Sequence, residues 1–171
     1  MGNKKSSNPK WATMAVNRCE KIFPGLKKVL DVGTRDGFCR DFFLRLGYDC
    51  VGTDIEPQGP GIIKDDFNET NIQQAFDLIF ARHVIEHCNS IDNFLQTCRR
   101  LLNPNGKVFL VFPLQSKREA GVKHKVFIET MDEFRTYTER AGFREVRFHR
   151  MRRKGRTGKY DEVYYAGILD S

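Results

Sequence analysis

VLDVGTRDGF, residues 29–38, is the stretch whose reading decides the fold. Val29, Leu30 and Val32 form an apolar run that carries one acid, Asp31, and stops at Gly33. A β-branched, apolar run without polar alternation predicts a strand buried on both faces. Gly33 and Gly37 bracket a tight turn, and Asp36 stands where it would cap a helix over 37–46. Gly47 ends that helix, and YDCVGTDIE (48–56) supplies a second strand that finishes in Asp54 and Glu56. The unit is strand, glycine turn, helix, strand.

In a Rossmann-type unit of this kind the ligand binds where strand gives way to helix. An acid about 20 residues past the glycine turn is placed to accept hydrogen bonds from two ribose hydroxyls, and Asp54 holds that place. The dinucleotide fingerprint G-x-G-x-x-G requires a glycine where this chain has Arg35, so NAD and FAD suit the turn less well than a phosphate-free, ribose-bearing cofactor. Here the sequence resembles the class I S-adenosylmethionine-dependent methyltransferases. Their first motif, D/E-x-G-x-G-x-G, is matched by Asp31, Gly33 and Gly37 and departed from at Arg35. The resemblance implies S-adenosylmethionine as cofactor and S-adenosylhomocysteine as product. It assigns cofactor contacts to Asp31, Gly33, Arg35, Gly37, Asp54 and Ile55. Arg35 then either pairs with the cofactor carboxylate or points to solvent. It also implies Asp66 and Phe67 against the adenine, and Ala81 at the end of the fourth strand.

That fourth strand is FDLIF (76–80), running into ARHVIEH (81–87). The run resembles the F-D-L-V-x-x-x-x-V-L-E-H stretch of small members of the same family. His83 and His87 are the candidate catalytic residues, His83 as a general base whose imidazole titrates near neutral pH. The same letters spell H-x-x-E-H, which on a long helix with a third ligand would make a zinc metallopeptidase. Here the motif follows a buried strand, Cys88-Asn89-Ser90 interrupts any helix, and this reading assigns the chain no metal.

The rest of the chain extends the pattern. Residues 9–23 predict a helix, 62–63 open a short third strand, and 69–75 predict a short helix. A helix starting at Ser90 or Asp92, a strand over 107–113, a loop over 114–129 and a Thr130-capped helix to Ala141 follow. Strands over 143–151 and 163–169 then close a hairpin around the turn RRKGRTGK (152–159). The expected fold class is α/β, a three-layer sandwich around a Rossmann-like, seven-stranded, mostly parallel sheet whose last strand is antiparallel. Residues 1–8 read as a basic tail and 9–171 as a single domain.

Charge narrows the partners. There are 29 Lys and Arg against 22 Asp and Glu, a net +7 that favours anionic ligands. The loop after the fifth strand carries Lys117, Arg118, Lys123, His124 and Lys125. The hairpin turn carries Arg150, Arg152, Arg153, Lys154, Arg156 and Lys159. In an open α/β sheet both segments reach the rim beyond the carboxyl ends of the parallel strands. The expected methyl acceptor is therefore anionic: RNA, DNA or a phosphorylated small molecule. A cofactor-binding module that needs a protein partner to complete its site is the alternative. Five cysteines, odd in number and without C-x-x-C, read as reduced thiols of a cytoplasmic protein, and no apolar run reaches membrane-spanning length. The N-terminus matches the myristoylation pattern M-G-x-x-x-[ST] through Gly2 and Ser6.

Overall fold

The structure, a computed structural model, describes residues 9–116, 123–154 and 159–170. The N-terminal tail with its lipidation pattern, and Lys117, Arg118 and Arg156, lie outside the described residues.

Twelve segments alternate in the order the sequence anticipates. They are α1 (Pro9–Ile22), β1 (Lys28–Val32), α2 (Phe38–Arg45), β2 (Asp49–Asp54), β3 (Ile63–Lys64), β4 (Phe76–Arg82) and a single 3₁₀ turn (Ile85–His87). Then come α3 (Ile91–Leu101), β5 (Leu102–Leu114), α4 (Met131–Arg140), β6 (Phe143–Lys154) and β7 (Lys159–Leu169). The sheet has seven strands in the order β3-β2-β1-β4-β5-β7-β6. Strands β1 to β5 pair in parallel, and β7 inserts antiparallel between β5 and β6.

Both faces of the sheet are covered, which explains why its central strands are apolar without alternation. On one face Leu30, Ile79, Val108 and Leu110 pack with Phe94 and Leu95 of α3 and Phe134 of α4. On the other, Val29, Leu78, Phe80 and Phe109 pack with Ala12 and Ala15 of α1 and Phe43 of α2. Phe80 stacks on Phe109 at 5.7 Å and meets Phe43 edge-on at 5.2 Å. Burial of each such ring is worth about 2–3 kcal/mol. Asp77 pins the sheet at its other end, since its carboxylate accepts from the backbone N–H groups of Lys27 and Lys28 and from the Asn103 amide.

Three local expectations change. Asp36 does not cap α2; that position is Gly37, at φ 82°, while Asp36 Oδ1 accepts from the Phe38 N–H in a local turn. Residues 69–75 form no helix. Thr70 Oγ1 accepts from the Ile72 N–H, and Arg100 from α3 takes the carbonyls of Thr70 and Ile72, so groups a helix would use are already spent. The hairpin strands are longer than expected: β6 runs on to Lys154 and β7 starts at Lys159, which leaves only 155–158 between them.

Candidate functional site

The parallel strands end at one edge, and a cavity of about 890 Å³ opens there. The glycine turn builds its first wall. Gly33 has φ 70°, and a Cβ there would stand 2.4 Å from Val84 Cγ2. The turn therefore needs glycine for conformation and for space. Arg35 follows at φ 51°, the left-handed region that favours glycine. Its backbone N–H donates to Asp54 Oδ2 at 2.8 Å, and its Nε donates to the Gln58 side chain. Among the described residues, the Arg35 side chain thus lies along the wall beside Gln58.

Acids line the cavity at three depths. At the end of β2, Asp54 accepts Arg35 N–H through Oδ2 and Glu56 N–H through Oδ1. Two backbone donors fix the carboxylate while each oxygen keeps a lone pair for a ligand hydroxyl. Asp31 is 2% exposed, and its Oδ2 has no partner. Burial raises its pKa from 3.8 to about 7, against the Thr34 hydrogen bond and the charges of Arg82 and Arg40. At the adenine end the expected acid, Asp66, spends Oδ1 on Asn68, whereas its neighbour Asp65 keeps a buried Oδ2 without a partner. Ile55, an exposed aliphatic, and Phe67, packed on Phe94 at 5.1 Å, complete this end. Gly37 and Ala81 are outside the cavity wall: Gly37 shapes the turn and Ala81 belongs to the core.

The two histidines do not share a helical face. His83 leaves β4 at φ 57°, and only a single 3₁₀ turn over Ile85–His87 follows, so the helix that an H-x-x-E-H peptidase requires is absent. His83 is clamped instead. Nδ1 lies 3.0 Å from Glu86 Oε1 and Nε2 lies 3.0 Å from Glu162 Oε1. Burial favours its neutral form, but the Glu162 and Glu86 bonds outweigh that and raise its pKa to about 9. At neutral pH the ring is an imidazolium that donates from both nitrogens, with no lone pair to offer. His87 Nδ1 meets the Lys123 carbonyl at 3.1 Å.

A second cavity, of about 420 Å³, adjoins the first and shares Arg82 and His83 with it. Trp11 from α1, Tyr160 from β7 and Arg152, Arg153 and Lys154 from β6 surround it. Arg153 stacks on the Trp11 ring at 3.6 Å and bonds Glu162 through Nε and Nη2. Glu162 also accepts from the Tyr164 hydroxyl, and these donors with His83 hold its pKa at about 2 despite burial. Arg150 and Arg152 pair with Asp161. Asp161 and Glu162 on the returning strand thus offset part of the hairpin's positive charge. Lys154 has no carboxylate partner among the described residues, while Arg82, which lines both cavities, acts on the Asp31 carboxylate and hydrogen-bonds the Cys39 side chain. Glu162 and Asp65 belong to no sequence motif, because each is defined only by what the fold brings to it, whereas Glu86 lies inside the 81–87 motif without a role assigned from sequence.

Comparison with known proteins bears on the family and the fold. The family model described as a methyltransferase domain matches residues 9–155. The ubiquinone biosynthesis O-methyltransferase of Agrobacterium fabrum is 27% identical over 97 residues, covering 48% of this chain and 39% of that protein. The mitochondrial enzyme of the same name from Rattus norvegicus is 29% identical over 102 residues, covering 48% and 30%. The chain thus spans about two fifths or less of the length of these curated relatives. Among solved structures, 1,6-didemethyltoxoflavin-N1-methyltransferase of Burkholderia thailandensis superposes with a TM-score of 0.79 at 16% identity, covering 96% of this chain and 80% of that one. The YcgJ protein of Bacillus subtilis gives 0.72 at 11% identity, covering 93% and 99%.

Proposed function

The chain belongs to the methyltransferase-domain family, and from that premise we propose that it moves a methyl group from S-adenosylmethionine to a small anionic acceptor. When bound, the cofactor supplies an activated sulfonium methyl. The chain's own work is to bind, align and exclude water.

The residues present suit the cofactor. Asp54, held by two backbone donors, accepts the ribose hydroxyls. The orphaned Oδ2 of Asp31 accepts from the methionine ammonium, and Asp65 or Asp66 from the adenine amine. Ile55 and Phe67 supply the apolar walls for the ring. His83, charged and clamped, fixes the junction of the two cavities instead of taking a proton there.

The observation that carries the acceptor class is the second cavity. It joins the first at Arg82 and His83, its volume fits a small molecule, and Lys154 on its wall has no carboxylate partner among the described residues. The five cysteines are all free and buried, in keeping with a reducing compartment such as the cytoplasm. No helix among the described residues is long and apolar enough to cross a membrane.

The test is methyl transfer from isotope-labelled S-adenosylmethionine to a panel of small carboxylates and phosphates, with their neutral analogues alongside. Labelling confined to anionic acceptors, with KM raised by Lys154→Ala and cofactor affinity unchanged, is the expected result. Equal labelling of the neutral analogues, or none of any acceptor, would overturn the proposal.

A further inference from the structure

We propose that Glu86, His87 and His124 bind a first-row divalent metal ion at the wall of the larger cavity, where the turn after β4 meets the loop after β5. The role given to that ion rests on the methyltransferase reading above; the binding itself does not.

The geometry of the three side chains carries the site. One ligand atom from each of the three residues lies within 4.8 Å of the others. Glu86 is 4% exposed, and while its Oε1 meets His83, its Oε2 is buried with no hydrogen-bond partner. A buried carboxylate oxygen left unpaired is costly, and a cation beside it removes that cost. The tautomer of His87 is fixed by its neighbour: the Lys123 carbonyl can only accept, so Nδ1 carries the proton and Nε2 keeps the lone pair. The Gln115 amide nitrogen faces His124 Nδ1 and donates to it, so ligation through His124 Nε2 requires that amide to turn over and accept from Nδ1–H. The two rings stand edge to face, with centroids 4.9 Å apart at 85°, an arrangement that lets both nitrogens approach one ion.

The backbone braces this arrangement. Glu86 and His87 sit on the 3₁₀ turn after β4, and His124 sits on the loop after β5. The N–H groups of Lys125 and Val126 donate to the Glu86 carbonyl, and the Lys125 ammonium donates to Asn89 at 2.9 Å. Loop and turn are therefore tied together on either side of the three ligands.

Two imidazoles and a carboxylate select a borderline ion such as Zn²⁺, Co²⁺, Ni²⁺ or Fe²⁺ over Ca²⁺, which prefers oxygen alone. Cys88, the nearest thiol in sequence, turns its Sγ to the Val84 carbonyl. Three protein ligands leave at least one coordination position open. His87 and His124 line the larger cavity, so that position opens into it. An anionic or hydroxylic acceptor that extends from the second cavity through the junction at Arg82 and His83 would meet the ion through an oxygen. The ion would thus select for an oxygen-bearing acceptor, a preference that Arg82 and Lys154 alone do not impose.

The experiment uses the untagged full chain, stripped with a chelator, without cofactor or acceptor. Co²⁺ is titrated while its visible ligand-field absorption is recorded, and Zn²⁺ affinity is measured by competition with a chromophoric chelator. One ion per chain is expected, with affinity falling at least about tenfold in Glu86→Gln and in His124→Ala. His124 lies on a surface loop, so His124→Ala remains informative if Glu86→Gln unfolds. Circular dichroism checks both variants. Absence of saturable binding, or binding unchanged in a folded His124→Ala, would overturn the site. S-adenosylhomocysteine binding, measured calorimetrically on the same samples, separates the two readings: metal binding without it removes only the ion's role in methyl transfer, and the converse removes only the metal site.

Discussion

Asp31 offers the sharpest quantitative prediction. Its carboxyl is 2% exposed with one oxygen unpartnered, and burial raises its pKa from 3.8 to about 7. The folded chain therefore binds a proton that the unfolded chain has already released across the window between those values. Stability is lost as pH rises through that window, and the loss is complete above 7. Asp31→Asn keeps the shape and removes the charge, so it should stabilise the cofactor-free chain progressively with pH. A rise of about 3 pH units corresponds to about 4 kcal/mol in full, of which about 2–3 kcal/mol accrues between pH 5 and pH 8. Urea denaturation of both proteins at those two pH values reads it directly. The same substitution should weaken cofactor binding, because an amide cannot pair with the methionine ammonium as a carboxylate does. In the unsubstituted chain, cofactor affinity should climb from pH 5 and level off above about 7. A stability difference that is the same at pH 5 and pH 8 would refute the reasoning, since it would mean that Asp31 ionises normally in the fold.

Two further substitutions test the walls. Gly33→Ala places a Cβ 2.4 Å from Val84 Cγ2 at a backbone φ of 70°; it should cost about 1–3 kcal/mol in thermal or urea unfolding and impair cofactor binding, and a neutral effect would contradict the packing of the turn. Trp11→Ala removes the ring under the Arg153 guanidinium at 3.6 Å; it should cost about 1–2 kcal/mol of stability and raise KM for the acceptor while leaving S-adenosylhomocysteine affinity intact, as steady-state kinetics and calorimetry would show.

What the sequence discloses about this molecule follows chain locality. The β1 strand, the glycine turn and Asp54 lie within 26 residues of one another, and each is legible because its requirement is written in its own letters. The apolar runs 78–81 of β4 and 108–114 of β5 are legible for a related reason: both sheet faces are covered, so periodicity gives way to a continuous apolar run. The charge at the rim is not legible in this way. The segment from Arg150 to Lys159 contains no acid, yet Asp161 and Glu162 on the returning strand pair with Arg150, Arg152 and Arg153 and offset part of their charge. His83 is a similar case. Its spacing to His87 suggests a shared helical face, but its positive φ and its bond to Glu162, 79 residues away, give it another role. The missing helix at 69–75 depends on Arg100, 28 to 30 residues downstream, which no local propensity reports.

The central claim is that the larger cavity holds S-adenosylmethionine through Asp54, and calorimetric titration of S-adenosylmethionine and S-adenosylhomocysteine into the full chain and Asp54→Ala tests it most directly. Each hydrogen bond from a ribose hydroxyl to the carboxylate is worth about 1.5–3 kcal/mol, so loss of both should weaken binding by roughly a hundredfold or more. Saturable one-to-one binding of both ligands that nearly vanishes in Asp54→Ala is the predicted result. No binding to the unsubstituted chain, or equal binding to a folded Asp54→Ala, would contradict the account.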